Sequence, residues 1–389
     1  MFNINFFIYT SVTGIVFKRI VPTSSDYDLS PHSVAIGDFN NDNWSDIIVA
    51  NYNVNNVGIF LGYADGSFGN QTIFFTGSNS HPTSVAVGDF NNDSQLDIVV
   101  ANFGANNVGI LLGHGNGMFA EHTRISLGAS RPWALVVNDL NKDHRMDIII
   151  VNYGTNDITI LFGSSDGSFR NSIHYSTGYD SRPYSIAVAD LNNDTHLDIA
   201  ISNYGTSDVG ILYGYGNGTF QNQIRYSTGR ESNPSDIVIA DLNRDDVLDI
   251  ALVNSGTDNI AIFLGYGNGN FTKSIIFSTG SNSHPSHITV GYFNEDNVLD
   301  IAVTHEGTDS LGVLLGNEDG TFATQSAYST GFGSHSNYVT IGDFNRNNRS
   351  DLIIVNTGIH NILTLGSYAN NLSMELTTYS TGESSRPMF

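Results

Sequence analysis

Apolar residues in this chain come in short runs, such as Asp46-Ile-Ile-Val-Ala and Asp147-Ile-Ile-Ile-Val, each closed within a few positions by Gly, Asn, Asp or Ser. Runs of that length, rich in Val, Ile, Leu and Tyr and bounded by turn residues, predict β-strands. With 40 Gly, 8 Pro and 45 Asn the composition is that of a turn-rich β chain and disfavours a helical bundle. In the segment 185–227 the pattern predicts four strands, at Ser185–Ala189, Leu197–Ser202, Asp208–Tyr213 and Thr219–Ser227. The breaks between them hold Asp-Leu-Asn-Asn-Asp, Asn-Tyr-Gly-Thr and Gly-Tyr-Gly-Asn-Gly, residues that supply positive φ and side-chain-to-backbone bonds. Such a unit is an antiparallel four-stranded meander.

The same unit recurs. The string Gly37-Asp-Phe-Asn-Asn-Asp-Asn-Trp-Ser-Asp-Ile47 returns with its acidic first position at Asp89, Asp139, Asp190 and Asp241, then as Tyr292 and Asp343, every 51 residues and once after 50. A Tyr-Ser-Thr-Gly marker or near variant ends at Gly77, Gly128, Gly178, Gly229, Gly280, Gly331 and Gly382 in the same period. A sheet of this size cannot bury both faces alone, so the copies must pack around an axis. The expectation is an all-β chain: a seven-bladed β-propeller of four-stranded antiparallel blades over residues 31–382, with an extension at 1–30 and a tail at 383–389. The Gly-x-Gly-Asn-Gly segments 113–117, 214–218 and 265–269 are hairpin turns and not dinucleotide loops, because a strand follows each of them.

The ends raise a question of closure. Phe17-Lys-Arg-Ile-Val21 resembles the fourth strand of a repeat, while Met374–Tyr379 supplies one for the seventh repeat itself, so two segments compete for one position. Ser385-Arg-Pro387 restarts the repeat and stops. The apolar start, Phe6 to Phe17, lacks a preceding Lys or Arg and a clean small-residue cleavage site, and reads first as a strand remnant and second as a weak signal segment.

The loop between the first and second strands carries the strongest chemical signal. Its oxygen-bearing side chains stand at positions 1, 3, 5 and 9: Asp38, Asn40, Asp42 and Asp46; Asp89, Asn91, Asp93 and Asp97; Asp139, Asn141, Asp143 and Asp147; Asp190, Asn192, Asp194 and Asp198; Asp241, Asn243, Asp245 and Asp249. Loop six puts Tyr292 first and keeps Asn294, Asp296 and Asp300; loop seven has Asn347 at position 5 and keeps Asp343, Asn345 and Asp351. Asx turns explain Asp and Asn singly. They do not require three like charges within nine residues, which repel unless neutralised. An all-oxygen wrap with a backbone carbonyl near position 7 suits calcium better than magnesium, which prefers to keep its waters. Five strong sites are expected, and up to seven.

Composition narrows the remaining choices. The formal net charge is −23, from 38 acidic against 15 basic residues, and no Lys/Arg cluster offers a phosphate footprint. Nucleic acid and anionic membrane surfaces are therefore not expected as partners. No apolar run is long enough for a membrane span. The absence of cysteine removes thiol catalysis and Cys-ligated metals. Twelve histidines are present but none is spaced with Asp or Glu in a catalytic pattern, and neither a Gly-x-Ser-x-Gly elbow nor a His-Glu-x-x-His helix occurs. No catalytic residue is assigned and the chain is not expected to be an enzyme. The Asn-x-Ser/Thr sequons, among them Asn70, Asn217, Asn270 and Asn371, decide nothing in a chain with 45 Asn.

The loop, the Leu-Asp-Ile strand after it and the Leu-Gly-x-Gly-Asn-Gly-x-Phe turn, as at Leu112–Phe119 and Leu264–Phe271, resemble the FG-GAP (VCBS-type) repeat. That family includes the calcium-binding blades of the integrin α-subunit head and many extracellular proteins. The resemblance spans about nine-tenths of the chain and implies a secreted or ectodomain calcium-binding adhesion module with a protein or glycan ligand. A carbohydrate-active propeller, lectin-like or lyase-like, is the alternative it leaves. One departure is that the family usually has Gly at loop positions 4 and 6, where this chain has Asn41/Asn43, Asn92/Ser94, Lys142/His144 or Arg244/Asp246.

An up-and-down blade puts the calcium loop and the third-to-fourth-strand turn on one rim. The opposite rim carries the second-to-third-strand loops, where Tyr52, Phe103, Tyr153 and Tyr204 give way to Ser255, Glu306 and Thr357. These four rings predict an aromatic arc that either contacts a ligand or fills the gaps between blades.

Overall fold

The computed structural model describes residues 16–19, 29–366 apart from 295, and 373–380. Every regular element among them is a strand, and the strands form seven sheets. Six sheets have four antiparallel strands in sequence order; in the second blade, for example, they are Pro82–Gly88, Asp97–Asn102, Asn107–Leu111 and Thr123–Ser126. No helix of the described residues is long and apolar enough to cross a membrane. The first strands, Pro31–Gly37 in blade one through Ser336–Gly342 in blade seven, pack against one another around the axis, and those two contact each other to complete the ring.

The core is divided among the blade interfaces. One face of blade one (Ile48, Ala50, Val57, Ile59) packs on blade two (Ile98, Val100, Leu111), and its other face (Ile47, Val49, Phe60) packs on blade seven (Ile353, Val355, Ile362). Seven such layers account for the ring. The second strand of each blade, such as Asp147–Asn152, is buried along its whole length because both its faces meet a neighbouring blade. This is why it is an unbroken apolar run and not an alternating one.

Two details differ from the sequence expectation. In blade four the outer strand is Ile224–Ser227, preceded by an isolated Gly214–Phe220 bridge, so the predicted strand from Thr219 is interrupted. The positive φ of Gly216 and Gly218 curls that segment into the turn. At the closure, the two segments expected to compete share one sheet. Ser373–Ser380 takes the antiparallel fourth place of blade seven, and Val16–Arg19 adds outside it as a fifth, parallel strand in register from Val16 opposite Ser373 to Arg19 opposite Leu376. The apolar start before Val16 and the tail from Ser385 lie outside the described residues.

Candidate functional site: the acidic loops and the central cavity

The loop carboxylates divide into two kinds. The position 9 aspartates are buried, and each ties two loops together. Asp46 accepts from the N–H of Phe39 at 2.8 Å with one oxygen and from the N–H of Gly62 at 2.7 Å with the other. Asp97, Asp147, Asp198, Asp249 and Asp300 repeat both bonds, and Asp351 accepts from Phe344. Since Gly62 opens the third-to-fourth-strand turn, that turn and the acidic loop lie on one rim. The glycine is required there because a Cβ at Gly62 would stand 2.2 Å from the Ser45 carbonyl oxygen.

Burial pushes Asp46, Asp147, Asp198 and Asp249 up to about 6, with the carboxylates at positions 5 and 1 adding to the shift while the backbone bonds oppose it. Asp97 and Asp300 shift the same way, again chiefly through burial.

Positions 1, 3 and 5 are turned to the loop's own amides. Asp38 accepts from the N–H groups of Asp42 and Asn43 at 3.1 and 2.7 Å, Asn40 from Asp42 at 3.2 Å, and Asp42 from Trp44 at 2.7 Å. The other intact loops repeat this, as in Asp190 with Asp194 and Thr195. Loop seven keeps it through Asp343 and Asn347. In loop six Tyr292 is exposed, and Asn294 and Asp296 hold the remaining bonds. Among the described residues no three His, Asp or Glu side chains are already gathered around one point.

Positions 4 and 6 adopt the left-handed conformation that glycine favours, without being glycine. Asn41, Lys142, Arg244 and Arg346 have φ between 55 and 61°, and His144, Thr195 and Asp246 between 62 and 70°. For a β-branched residue such as Thr195 this costs about 1–2 kcal/mol. The position 4 side chains show why glycine is absent there, since they reach the neighbouring blade. Asn41 donates to Gln95 and to the Gly115 carbonyl, Lys142 to Thr195, and Asn193 to the Gly267 carbonyl; Arg244 pairs with Glu318 at 2.9 Å, and Arg346 lies over the Trp44 ring at 4.2 Å.

The opposite rim holds a central cavity of about 870 Å³. Each first strand carries a β-bulge just after its opening residue, with one extra residue between the paired positions. These extra residues are His32, Thr83, Trp133, Tyr184, Ser235, Ser286 and Asn337, and all of them line the cavity. A bulge re-aims a side chain. The next position forms a second layer that includes Ser185, Asp236, His287 and Tyr338.

The four predicted aromatic residues stand behind this wall. Tyr52 stacks on His32 at 4.8 Å and also meets His81, and Phe103 packs edge-on to Trp133 at 5.4 Å. Tyr153 contacts Trp133 and Tyr184, and Tyr204 stacks on Tyr184 at 5.5 Å. Tyr52, Phe103 and Tyr153 each meet a ring of the next repeat, whereas Tyr204 stacks within its own blade, and of the four only Tyr204 lines the cavity. Sequence reasoning missed Trp133 and Tyr184. The available signal was the residue after the Pro that opens the first strand in six of the repeats, which changes chemistry from copy to copy.

This architecture places the chain in a family. The FG-GAP-like repeat model matches residues 38–100, 89–150, 139–201, 196–252, 248–303 and 292–354, and the chain belongs to that family. Solved structures share the fold at low identity. Virginiamycin B lyase from Staphylococcus aureus aligns at 14% identity and a TM-score of 0.61, over 86% of this chain and 94% of that one. A proposed 6-phosphogluconolactonase from Bacteroides uniformis aligns at 12% and 0.63, over 90% and 97%. A lectin from Agrocybe aegerita aligns at 17% and 0.58, over 85% and 86%. No curated protein matches the chain.

Proposed function

We propose that this chain is a calcium-stabilised recognition module working outside the cell, which binds a protein or glycan partner on the rim away from its acidic loops and performs no catalysis. The observation that carries this reading is the strained wrap of the loops. Side chains as unsuited to it as Lys142 and Thr195 are held at positive φ, in turns where the oxygens of positions 1, 3 and 5 accept from the loop's own amides. Strain of this kind persists where the surroundings impose it, and it clusters at ligand-binding turns.

The donor set fits calcium: all ligands are oxygen, and the carboxylates repel one another across a few residues. Asp38, Asn40, Asp42, Asp46 and their counterparts, with the position 7 carbonyl, would hold the ion. Bound calcium would supply the positive charge these carboxylates lack. Calcium levels outside the cell suit such loops better than cytosolic ones.

Two measurements test the loops. Isothermal titration of the calcium-free protein should count five strong sites, with loop six weakest because the Tyr292 phenol brings no charge; seven equivalent sites would contradict the ligand assignment. Thr195→Asn, which puts the loop-one residue type into loop four, should stabilise the protein by about 1 kcal/mol in urea denaturation, because Asn tolerates the left-handed region. A loss of stability would show that Thr195 is not strained.

On the partner side, the Agrocybe aegerita lectin, which recognises non-reducing terminal N-acetylglucosamine, shares this fold and supports a glycan among the candidates. The enzyme reading has one observation in its favour: His287 Nδ1 stands 3.2 Å from Asp236 inside the cavity. Turnover of a polysaccharide that is lost in His287→Ala would establish that reading in place of ours.

A further inference from the structure

The cavity has two unlike sides. On one, Tyr184 packs 4.7 Å from Trp133 and 5.5 Å from Tyr204, so three rings form a continuous aromatic surface. On the other stand Asp236 and Glu306, and no lysine or arginine is among the lining residues. The arginines of that rim are engaged outside it: Arg131 lies over Phe103 at 5.6 Å, and Arg182 pairs with Asp180 at 3.0 Å.

Asp236 is unusual in its setting. Its side chain is 8% exposed, one oxygen accepts from the Ser185 hydroxyl at 2.6 Å, and the other accepts from the Ile288 N–H at 2.9 Å. The imidazole beside it, His287, is held below its ordinary pKa by burial, against the pull of Asp236 and a backbone contact to Val339. The His287 Nδ1 stands 3.2 Å from the second of these oxygens. Glu306 is exposed at the mouth. Burial first, then Glu306, push the Tyr184 phenol above its ordinary range. Aromatic faces attract cations, and carboxylates on the facing side of the same cavity add to that attraction.

We propose that this cavity is a subsite for an alkylammonium group carried on an apolar or ring-shaped body, with the cationic head between Asp236 and Glu306 and the body on Trp133, Tyr184 and Tyr204. The assignment deepens the ligand side of the reading above and is independent of its calcium side. It requires that anions be refused, in keeping with the net charge of −23. The same chemistry is offered by a lysine side chain of a protein partner and by an amino sugar.

The chain has two tryptophans, Trp133 in the cavity wall and Trp44 on the far rim beneath Arg346. Trp44→Phe therefore leaves Trp133 as the only tryptophan reporter. This variant is titrated with phenethylamine, with 2-phenylethanol and with 3-phenylpropanoate, in calcium and in chelator. The expected result is quenching of Trp133 by the amine with an affinity at least tenfold above that for the alcohol, and no binding of the carboxylate.

Glu306→Gln, at an exposed position, should weaken the amine several-fold without moving the melting temperature, and Asp236→Asn should weaken it further. The alcohol should be indifferent to both. Equal binding of amine and alcohol, preference for the carboxylate, or amine affinity unchanged in both variants would overturn the proposal. Nα-acetyl-lysine methyl ester and glucosamine as further arms distinguish the protein from the sugar source. A melting temperature blind to calcium would remove the calcium reading while leaving the charge series interpretable.

Discussion

Millimolar calcium should raise the thermal midpoint of this protein by on the order of 10 °C over the same protein in chelator. Each site that binds only the folded chain contributes about 2.7 kcal/mol at a hundredfold excess over its dissociation constant, so five sites give more than about 10 kcal/mol. With an unfolding entropy of about 2 cal/mol/K per residue, a chain of 389 residues converts that into roughly 10–15 °C. Magnesium at the same concentration should do much less. A midpoint unmoved by calcium in scanning calorimetry would refute the assignment of the loops.

Asp147→Ala should cost about 3 kcal/mol, and the loss should appear in chelator as well as in calcium. The Asp147 carboxylate accepts from the N–H groups of Leu140 and Gly163 at 3.1 and 3.0 Å, both in buried surroundings. Alanine leaves two buried donors without an acceptor, at about 1–3 kcal/mol each, and part of this is recovered because a buried carboxylate no longer has to be desolvated. Asp143→Ala, at a half-buried loop position whose carboxylate pairs with Arg145 at 2.6 Å, should cost little in chelator and lower chiefly the stabilisation that calcium brings. Urea denaturation in both buffers checks the contrast. Equal behaviour of the two variants in chelator would show that position 9 does not hold the loops together.

The contrast between these two aspartates marks the limit of what the sequence allows to be read. The period of 51 and the chemistry of each break are local facts, so blade number, strand order and the acidic loops are legible at once. The role of Asp147 is only half local. Its bond to Leu140 spans seven residues, but Gly163 is brought to it by the pairing of the blade's second strand with its third. The cavity wall is harder still. Trp133 and Tyr184 reach the axis because a bulge displaces them, and nothing in a Pro-Trp or Pro-Tyr pair announces a bulge. The arc of Tyr52, Phe103, Tyr153 and Tyr204 is visible as a pattern, yet which ring faces the opening depends on neighbours supplied by another blade.

The fifth strand of blade seven has a consequence for how the ring is assembled in time. Each interface between consecutive blades joins segments about one repeat apart, whereas Val16 pairs with Ser373, near the far end of the chain. Blades can therefore dock one after another as the chain emerges, while this ladder has no partner until Ser373–Leu376 has been made. Chain entropy rises only slowly with loop length, so closing the full ring costs roughly 1.5–2 kcal/mol more than closing one repeat. The penalty falls on rate more than on stability. The Val16–Arg19 strand is thus a clasp that ties the segment before blade one to the outer edge of blade seven.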